Sequence, residues 1–564
     1  MGSVALSPWA EVDVSNAKGL SARLESLEGN TIGLFAHFKG HSPLILKEIE
    51  RKLAERFPKA TFKLLQYPKD TKEIQDDPEF LPVFEKWLSQ VDCVISAYGD
   101  AGSCAMYLAF NTVLAERAGT PCVLIVKRDI LNSAKRGAAA RQMPKLRLVA
   151  CDLPDLSFEP SLDQDLIETQ IKPNIADIID DIVNGLTEPL SKAESLTQVR
   201  NVNALAHLTF EGGIVETSNE FYRRGFTNGM PIIPPTEDAV EAMLLGTPLA
   251  RDYVVAELPP MRGMATVEKI AVNAVMAGCL PTYMPALIAL VEALAQPQIH
   301  LPGWTCSVAG FAPLIVLNGP VSRDIGMNSQ KNFLSPYDKP SAAIANALNL
   351  IIMNISGVRP GLEDNSYTGH ESRLGVCFAE NECTSPWKPL QTEFGFSESD
   401  STVTLSWFTG RRWFNKATTA SELLATFCAV EDDAGFAPGC NYVISPRCAQ
   451  ILSEAGYSRI DVCDYISEYA RKPARDINIH WMKRNNHVQR GAILPENPDC
   501  SCRKFWNTDH LNIFVAGAEA TPRGVMFIGG GDHGGPACAR MQLPDNWNEL
   551  IGRYQDIRPT YFEY

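Results

Sequence analysis

Cys104 ends a short glycine-rich segment, and both its residue type and its position suit nucleophilic chemistry. The segment, Ser96-Ala-Tyr-Gly-Asp-Ala-Gly-Ser-Cys104, follows apolar residues that predict a buried strand, and a predicted helix comes next. The free N–H groups of a first helical turn, together with the helix dipole, favour a thiolate over a thiol. The same N–H groups can stabilise an oxyanion that forms when the thiolate attacks a carbonyl. We therefore predict that Cys104 is a catalytic nucleophile.

Four residues beside Cys104 are candidates for binding an anionic part of the substrate. Gly99 and Gly102 let the backbone turn tightly and approach a ligand, while Asp100 or Ser103 is expected to cap the helix. Two alternatives stay open. The loop can bind a phosphate or carboxylate without any thiol chemistry, or Cys104 can be a small residue packed under the helix.

Polar residues in four stretches of the second half are candidates for the rest of the site. Glu268, His370 and His533 are the candidates for moving a proton to or from the substrate. His533 follows three glycines and Asp532, and such a run is costly in backbone entropy unless the backbone approaches something. The candidates for substrate binding are Asn228, Thr266, Lys269 and Asn318. The alternatives are a structural turn at residue 228, a solvated helix cap at 266–269 and a flexible surface turn at 533.

Metal and cofactor motifs are weak or missing in the sequence. Cys500-Ser-Cys502 with His510 supplies zinc-ligating residue types, but a spacing of one residue between two cysteines is unusual for zinc. No P-loop and no dinucleotide fingerprint occurs, because the glycines at 99 and 102 lack a third glycine at the required spacing. We expect neither a metal nor a cofactor.

The elements that must position Cys104 alternate between strand and helix. Predicted strands lie at 31–36, 60–65, 93–97, 121–126 and 146–151, and predicted helices at 42–57, 82–91, 103–117 and 130–142. Strands separated by helices of this length imply parallel pairing with right-handed crossovers. The pattern predicts a doubly wound sheet of the flavodoxin-like or Rossmann-like kind.

The chain is long enough for more than one core, and we predict two domains. The doubly wound domain spans 1–195, and a larger α/β domain spans 196–564 and contributes the rest of a cleft site. Helices are predicted there at 236–246, 266–277, 285–295 and 341–355, and strands at 314–317, 402–407, 513–515 and 525–528. The order of these strands within a sheet is not readable from the sequence.

Composition narrows the classes of partner. The 564-residue chain carries a net charge of −15, which argues against nucleic acid and acidic membranes, since both need a basic face. No run of 18 apolar residues predicts a membrane span, and the N-terminus lacks the features of a signal peptide. We expect a cytoplasmic protein whose 15 cysteines are mostly buried thiols, and a homodimer that acts on a small molecule.

The loop at Cys104 resembles the UGSC family of selenoproteins and their cysteine homologues, in which a selenocysteine- or Cys-Gly-Ser-Cys motif follows a strand ending in Gly-Asp. The stretches that carry the resemblance are Gly99–Cys104, Asn111, Ala115–Pro121, Asn228–Thr236, Ala265–Lys269, Asn273–Cys279 and Ala312–Pro320. The resemblance implies a doubly wound domain with a thiol site. This chain departs from the motif at Ala101, where the family places selenocysteine or cysteine. A dithiol redox couple therefore cannot form within the motif.

These features predict an enzyme, a lyase, hydrolase or transferase that forms a covalent thio-intermediate on a small, anionic organic substrate. One alternative is an oxidoreductase, as the selenocysteine relatives suggest, in which Cys104 cooperates with a distant cysteine such as Cys279 or Cys306. The other alternative is a non-catalytic protein whose glycine loops bind a small ligand.

Overall fold

The computed structural model describes most of the chain. The described residues are 3–12, 18–69, 72–154, 164–196, 207–210, 213–335, 337–415, 417–429, 439–476, 499–505, 511–529 and 535–555, with the single residues 156, 497 and 557.

The first part of the chain contains a five-stranded parallel sheet. Its elements are β1 (Ser3–Leu6), β2 (Thr31–Ala36), α1 (Ser42–Arg56), β3 (Thr61–Gln66), α2 (Leu81–Leu88), β4 (Cys93–Gly99), α3 (Gly102–Arg117), β5 (Cys122–Lys127), α4 (Leu131–Ala140), β6 (Leu148–Cys151), α5 (Gln164–Leu166), α6 (Lys172–Thr187) and α7 (Lys192–Ser195). A π-helical turn, Ile167–Ile171, joins α5 to α6. The strand order β3-β2-β4-β5-β6 is the flavodoxin-like order, so the predicted doubly wound sheet is confirmed.

Helices cover both faces of this sheet, as apolar strands require. Apolar residues of α1 and α6 form the core on one face, and those of α2, α3 and α4 form the core on the other. Gly119 ends α3 with a positive φ of 99°, as the sequence predicted.

The second part contains the remaining elements. They are β7 (His207–Phe210), α8 (Ile214–Arg223), α9 (Glu237–Leu244), β8 (Val254–Leu258), β9 (Gly263–Thr266), α10 (Val267–Met276), α11 (Met284–Leu294), α12 (Leu301–Thr305), β10 (Ala312–Asn318), α13 (Pro320–Asp324), α14 (Lys339–Asn354), β11 (Val376–Ala379), β12 (Thr402–Phe408), β13 (Gly410–Asn415), α15 (Ala420–Cys428), β14 (Cys440–Ile444), α16 (Pro446–Glu454), α17 (Arg459–Tyr469), β15 (Arg471–Pro473), β16 (Ser501–Arg503), β17 (Leu511–Val515), β18 (Arg523–Ile528), β19 (Ala537–Arg540) and α18 (Trp547–Tyr554).

Two four-stranded sheets of this second part pack face to face. Their strand orders are β11-β10-β12-β19 and β13-β18-β14-β17, and a shared apolar core lies between them. Helices α10, α11 and α14 cover the outer face of the first sheet, and α15, α16 and α17 cover that of the second. The second part is therefore a four-layer α/β/β/α sandwich. Each of the four helices and four strands predicted from the sequence in this part is present.

The apolar sequence of β10 follows from the position of this strand between two covered faces. Leu314 and Val316 face the core between the sheets, while Ile315 and Leu317 face the helices. Because both faces are covered, the strand lacks the alternation of polar and apolar residues that a half-exposed strand shows. Among the described helices, none combines the length and apolar character needed to cross a membrane.

The first residues of the chain pack on the second part. Strand β1 pairs antiparallel with β7, and Leu6 N–H donates to the carbonyl of Pro235 at 2.8 Å. Ala10 N–H donates to the carbonyl of Asn354 at 3.0 Å. Residues 3–12 precede the doubly wound sheet in the sequence, but these contacts hold them against the second part.

A buried ion-pair network joins the two parts. The guanidinium of Arg141, just after α4, donates to the carboxylate of Glu73 with an Nε–Oε2 distance of 3.0 Å, and to the carbonyl of Pro260 at 3.0 Å. Arg262, in the turn between β8 and β9, pairs with Glu73 and Asp76. The side chains of Arg141 and Glu73 are only 4% and 6% exposed, so neither charge is solvated by water.

We predict that Arg141→Met destabilises the protein by about 3–5 kcal/mol, because it leaves Glu73 buried with only one weaker partner. Urea denaturation monitored by fluorescence measures the change. The matched control is Arg56→Met, which removes an exposed pair with Asp180 and is expected to cost about 1 kcal/mol or less. Equal losses in the two variants would show that the buried network does not hold the parts together.

Candidate functional site

Cys104 lies at the topological switch point of the doubly wound sheet. The chain leaves β2 toward β3 on one side and leaves β4 toward β5 on the other, so the loops after β2 and β4 diverge and leave a crevice. Ligands of open α/β sheets bind at this place, beyond the carboxyl ends of the strands. Asp100 and Ala101 form the loop that follows β4, and Cys104 lies in the first turn of α3.

Cys104 is the third residue of α3 and is 5% exposed. The N-cap residue is Ala101, with no hydrogen bond from a side chain, so the expectation that Asp100 or Ser103 caps the helix is wrong. The first hydrogen bond of the helix runs from Ala105 N–H to the carbonyl of Ala101 at 2.8 Å. The residue at the N-cap position therefore supplies no side-chain hydrogen bond to the first turn of α3.

The carboxylate of Asp100 binds two side chains of the loop after β2. Lys39 Nζ lies 2.8 Å from Oδ1, and His41 Nε2 lies 3.1 Å from Oδ2. Burial by itself raises the pKa of Asp100, but the charge of Lys39 and the contact with His41 outweigh burial and hold that pKa well below its usual range. Asp100 is therefore a buried carboxylate ion that joins the loop after β4 to the loop after β2.

A side chain of β3 also holds the loop after β2. Gln66, the last residue of β3, donates its Nε2 to the carbonyls of His37, Phe38 and Lys39, at 3.0, 3.2 and 3.4 Å. Sequence reasoning missed Lys39 and His41. The available signal was the place of both residues directly after a predicted strand, but it becomes informative only when β2 and β4 are known to be neighbours.

A loop from the second part covers the start of α3. A Cβ atom on residue 102 would lie 2.5 Å from Asn365 Nδ2, so glycine is required at Gly102 by close approach. Ser133 of α4 donates its hydroxyl to Asn365 Oδ1 at 2.7 Å, and Asn365 Nδ2 lies 3.4 Å from the carbonyl oxygen of Cys306. Asn365 thereby links Gly102 and α4 to the segment that carries Cys306.

Three predicted site residues lie together, but at the start of α10. The hydroxyl of Thr266 caps this helix by accepting from Lys269 N–H at 3.2 Å. Glu268 pairs with Arg251, and Lys269 Nζ donates to the carbonyl of Ser7 at 2.9 Å. These side chains line a cavity of about 320 Å³.

The two predicted asparagines bind other side chains of the protein. Asn228 Nδ2 donates to the side chains of Asn346 and Asn349, at 2.8 and 3.0 Å. The side chain of Asn318 is buried and donates to Glu380 at 2.5 Å and to Glu382 at 3.1 Å. Both asparagines therefore have a packing role in the structure.

His370 packs edge-on against Phe408, and its Nδ1 accepts from Ser372 N–H at 3.0 Å. Burial is the main cause that lowers the pKa of His370, so the imidazole favours its neutral form. His533 lies outside the described residues, as does Asp532.

The structure also describes the cysteines considered as redox partners of Cys104 or as zinc ligands. Cys279 donates its thiol to the carbonyl of Ala343 at 3.4 Å, and burial raises the pKa of both Cys279 and Cys306. The sulfur atoms of Cys500 and Cys502 are 3.7 Å apart, and His510 lies outside the described residues. Within the described ranges, no group of three or more His, Cys, Asp and Glu side chains is arranged to hold a metal ion.

We predict that Asp100→Asn destabilises the protein by about 3–5 kcal/mol at neutral pH, because it leaves the ammonium of Lys39 buried without its counter-charge. The double variant Lys39→Met with Asp100→Leu removes both charges and is expected to cost much less. Urea denaturation of Lys39→Met, Asp100→Leu and the double variant measures the coupling; additive costs would refute it. Because the folded pKa of Asp100 is depressed, its contribution is complete above the unfolded value of about 4 and declines as the pH falls below it.

The family model for the UGSC family matches residues 4–188. This range runs from β1 to just beyond α6, and includes the whole parallel sheet and the loop that carries Cys104. A search of curated proteins finds no match to the chain. The match covers 185 of the 564 residues, so the similarity to the UGSC family applies to the doubly wound part, which carries the thiol at its switch point.

Proposed function

We propose that the protein is an enzyme in which Cys104 acts as a nucleophile on a small, anionic organic substrate. The observation that carries the proposal is the position of Cys104 as the third residue of α3, at the switch point of the sheet. The product of the attack is a covalent thio-intermediate, which a lyase, hydrolase or transferase resolves.

The charges around Cys104 support an anionic substrate. Lys39 and Asp100 carry opposite charges within 2.8 Å of each other, so they nearly cancel at a distance. The N-terminal end of α3 then supplies the positive field that favours both a thiolate and a developing oxyanion. An anion bound at this helix start gains from the same field.

The group that moves the proton stays a prediction. Glu268 is held by Arg251 at the start of α10, and His370 accepts a hydrogen bond from the backbone of Ser372. His533 is the third candidate. Since Cys104 is only 5% exposed, the proposal also requires that the side chain of Asn365 moves aside when the substrate enters.

A thiol oxidoreductase is the second candidate function. It is favoured by the contact of Asn365 with Gly102 and with the backbone of Cys306, because this contact brings the segment of a second cysteine to the start of α3. This alternative requires a reversible disulfide or a sulfenate at Cys104. Covalent catalysis requires neither, so the oxidation state of Cys104 after turnover distinguishes the two candidates. A third, non-catalytic role as a ligand-binding protein predicts that Cys104→Ala leaves ligand affinity intact.

Alkylation of the native protein tests the proposed thiolate. We predict that Cys104 reacts with an apparent pKa clearly below the ordinary value of about 8.5. The rate at each cysteine is followed by mass spectrometry across a pH series. Cys383 is the exposed reference thiol, and Cys93, whose pKa burial raises to about 12, is the buried one. A Cys104 thiol as inert as Cys93 would refute the nucleophile.

The charge of the alkylating reagent tests the anion preference separately. Iodoacetate and iodoacetamide share a leaving group but differ in charge. We predict that the ratio of the iodoacetate rate to the iodoacetamide rate is higher at Cys104 than at Cys383, because the start of α3 attracts the carboxylate. Equal ratios would contradict an anionic substrate while leaving the thiolate in place.

A single methyl group at residue 102 tests whether Asn365 limits access to Cys104. We predict that Gly102→Ala pushes Asn365 away, costs about 1–3 kcal/mol in stability through overpacking, and speeds alkylation of Cys104. The control is Gly552→Ala in α18, where a Cβ atom meets no other atom within 4 Å. If the Cys104 rate is unchanged in a folded Gly102→Ala protein, the loop with Asn365 does not control access.

A further inference from the structure

Lys269 is a buried amine in the wall of a cavity at the start of α10. The residue is 7% exposed and occupies the third position of α10. With Glu11, Arg251, Asp252, Met264, Thr266 and Glu268, it lines a cavity of about 320 Å³. This volume is at the small end of the range for ligand pockets and suits a compact molecule.

The surroundings of Lys269 disfavour its charged form. Its Nζ donates to one acceptor, the carbonyl of Ser7 at 2.9 Å, and within the described residues Lys269 forms no ion pair. An ammonium ion has three N–H donors, so a single neutral acceptor leaves its charge poorly compensated in a buried position. The N-terminal end of α10 adds a second unfavourable field, because the helix dipole repels a cation there.

The titratable groups that face Lys269 do not reverse this balance. Desolvation is the largest cause and lowers the pKa of Lys269, whereas the more distant charges of Glu268 and Glu11 raise it, and the net direction is downward. Glu268 is already paired with Arg251. Asp252, the remaining acidic side chain of the wall, is exposed to water.

We propose that Lys269 is a second reactive site, an amine that forms an imine with a small, uncharged aldehyde or ketone that enters this cavity. The neutral amine attacks the carbonyl carbon, a C–N bond forms, and the oxygen takes up a proton to give a carbinolamine. Loss of water then leaves the imine, so the overall reaction is amine plus carbonyl to imine plus water, with no change of oxidation state.

The charge of the wall selects against an anionic carbonyl compound. Three carboxylates, Glu11, Asp252 and Glu268, line the cavity, and the only other cation beside Lys269 is Arg251 among the lining residues. The guanidinium of Arg251 is paired with Glu237 and Glu241 in addition to Glu268. No positive group is thus left to receive a carboxylate, which distinguishes this site from the anion-attracting start of α3.

Reductive trapping on the native full-length chain tests the proposal. Acetaldehyde or glyoxylate is added at pH 7 with cyanoborohydride, which reduces the imine to a stable secondary amine, and the label at each lysine is followed by mass spectrometry. With acetaldehyde, we expect Lys269 to react several-fold faster than the exposed Lys192, since the lowered pKa of Lys269 increases its neutral fraction at pH 7. With glyoxylate, we expect that advantage to disappear.

Two outcomes would overturn the proposal. The first is labelling of Lys269 that is no faster than that of Lys192, which would leave Lys269 as an anchor for the carbonyl of Ser7 and nothing more. The second is preferential labelling by glyoxylate. The matched variant Lys269→Arg keeps a hydrogen-bond donor at this position but cannot form an imine. At a limiting dose of acetaldehyde, the variant protein is therefore expected to remain largely unlabelled. Because the test does not involve Cys104, its result is independent of the proposed function.

Discussion

The carboxylate of Asp100 is the contact on which the switch-point site depends. It lies between Lys39 and His41, so it fixes the loop after β2 to the loop after β4 at the place where the two loops would otherwise diverge. The N-cap position of α3 is occupied by Ala101, which makes no side-chain hydrogen bond to the helix. The residue just before it, Asp100, therefore assembles the crevice. A buried ion pair is costly unless its geometry is good, and here it specifies one arrangement of two loops.

Helix α3 extends this constraint to the rest of the molecule. Met106, Tyr107 and Phe110 pack into the core of the second part, whereas Leu108 and Val113 pack into the core of the parallel sheet. A helix that is apolar on all sides is buried on all sides, and α3 meets that condition because the two parts share it. The ion pairs of Arg141 and Arg262 with Glu73 lie along the same contact. Displacement of the second part would therefore expose apolar surface and leave a buried charge without its partner.

The sequence predicts what depends on local pattern and misses what depends on strand order. The parallel sheet, the position of Cys104 at the start of α3 and the cap at Thr266 follow from periodicity and residue type. The contact of Asp100 with His41 does not, because 58 residues lie between the two side chains and only the pairing of β2 with β4 brings them together. Lys269 shows a similar limit. The sequence shows that Lys269 lies against the helix dipole. It does not show that the carbonyl bound by Lys269 belongs to Ser7, 262 positions earlier in the chain.

Ala101 changes what the switch-point thiol can do. Because Ala101, three positions before Cys104, carries no sulfur or selenium, Cys104 needs a partner from outside the motif for redox chemistry. Cys306 belongs to the segment that the Asn365 contact brings to the start of α3. Burial raises the pKa of Cys306, so at neutral pH it remains a thiol, and a thiol is a poor attacking group in disulfide exchange. The proposed nucleophile, Cys104, lies in the first turn of α3 instead. A partner that remains a thiol agrees with the proposal of one nucleophile that acts by itself rather than a pair that exchanges electrons.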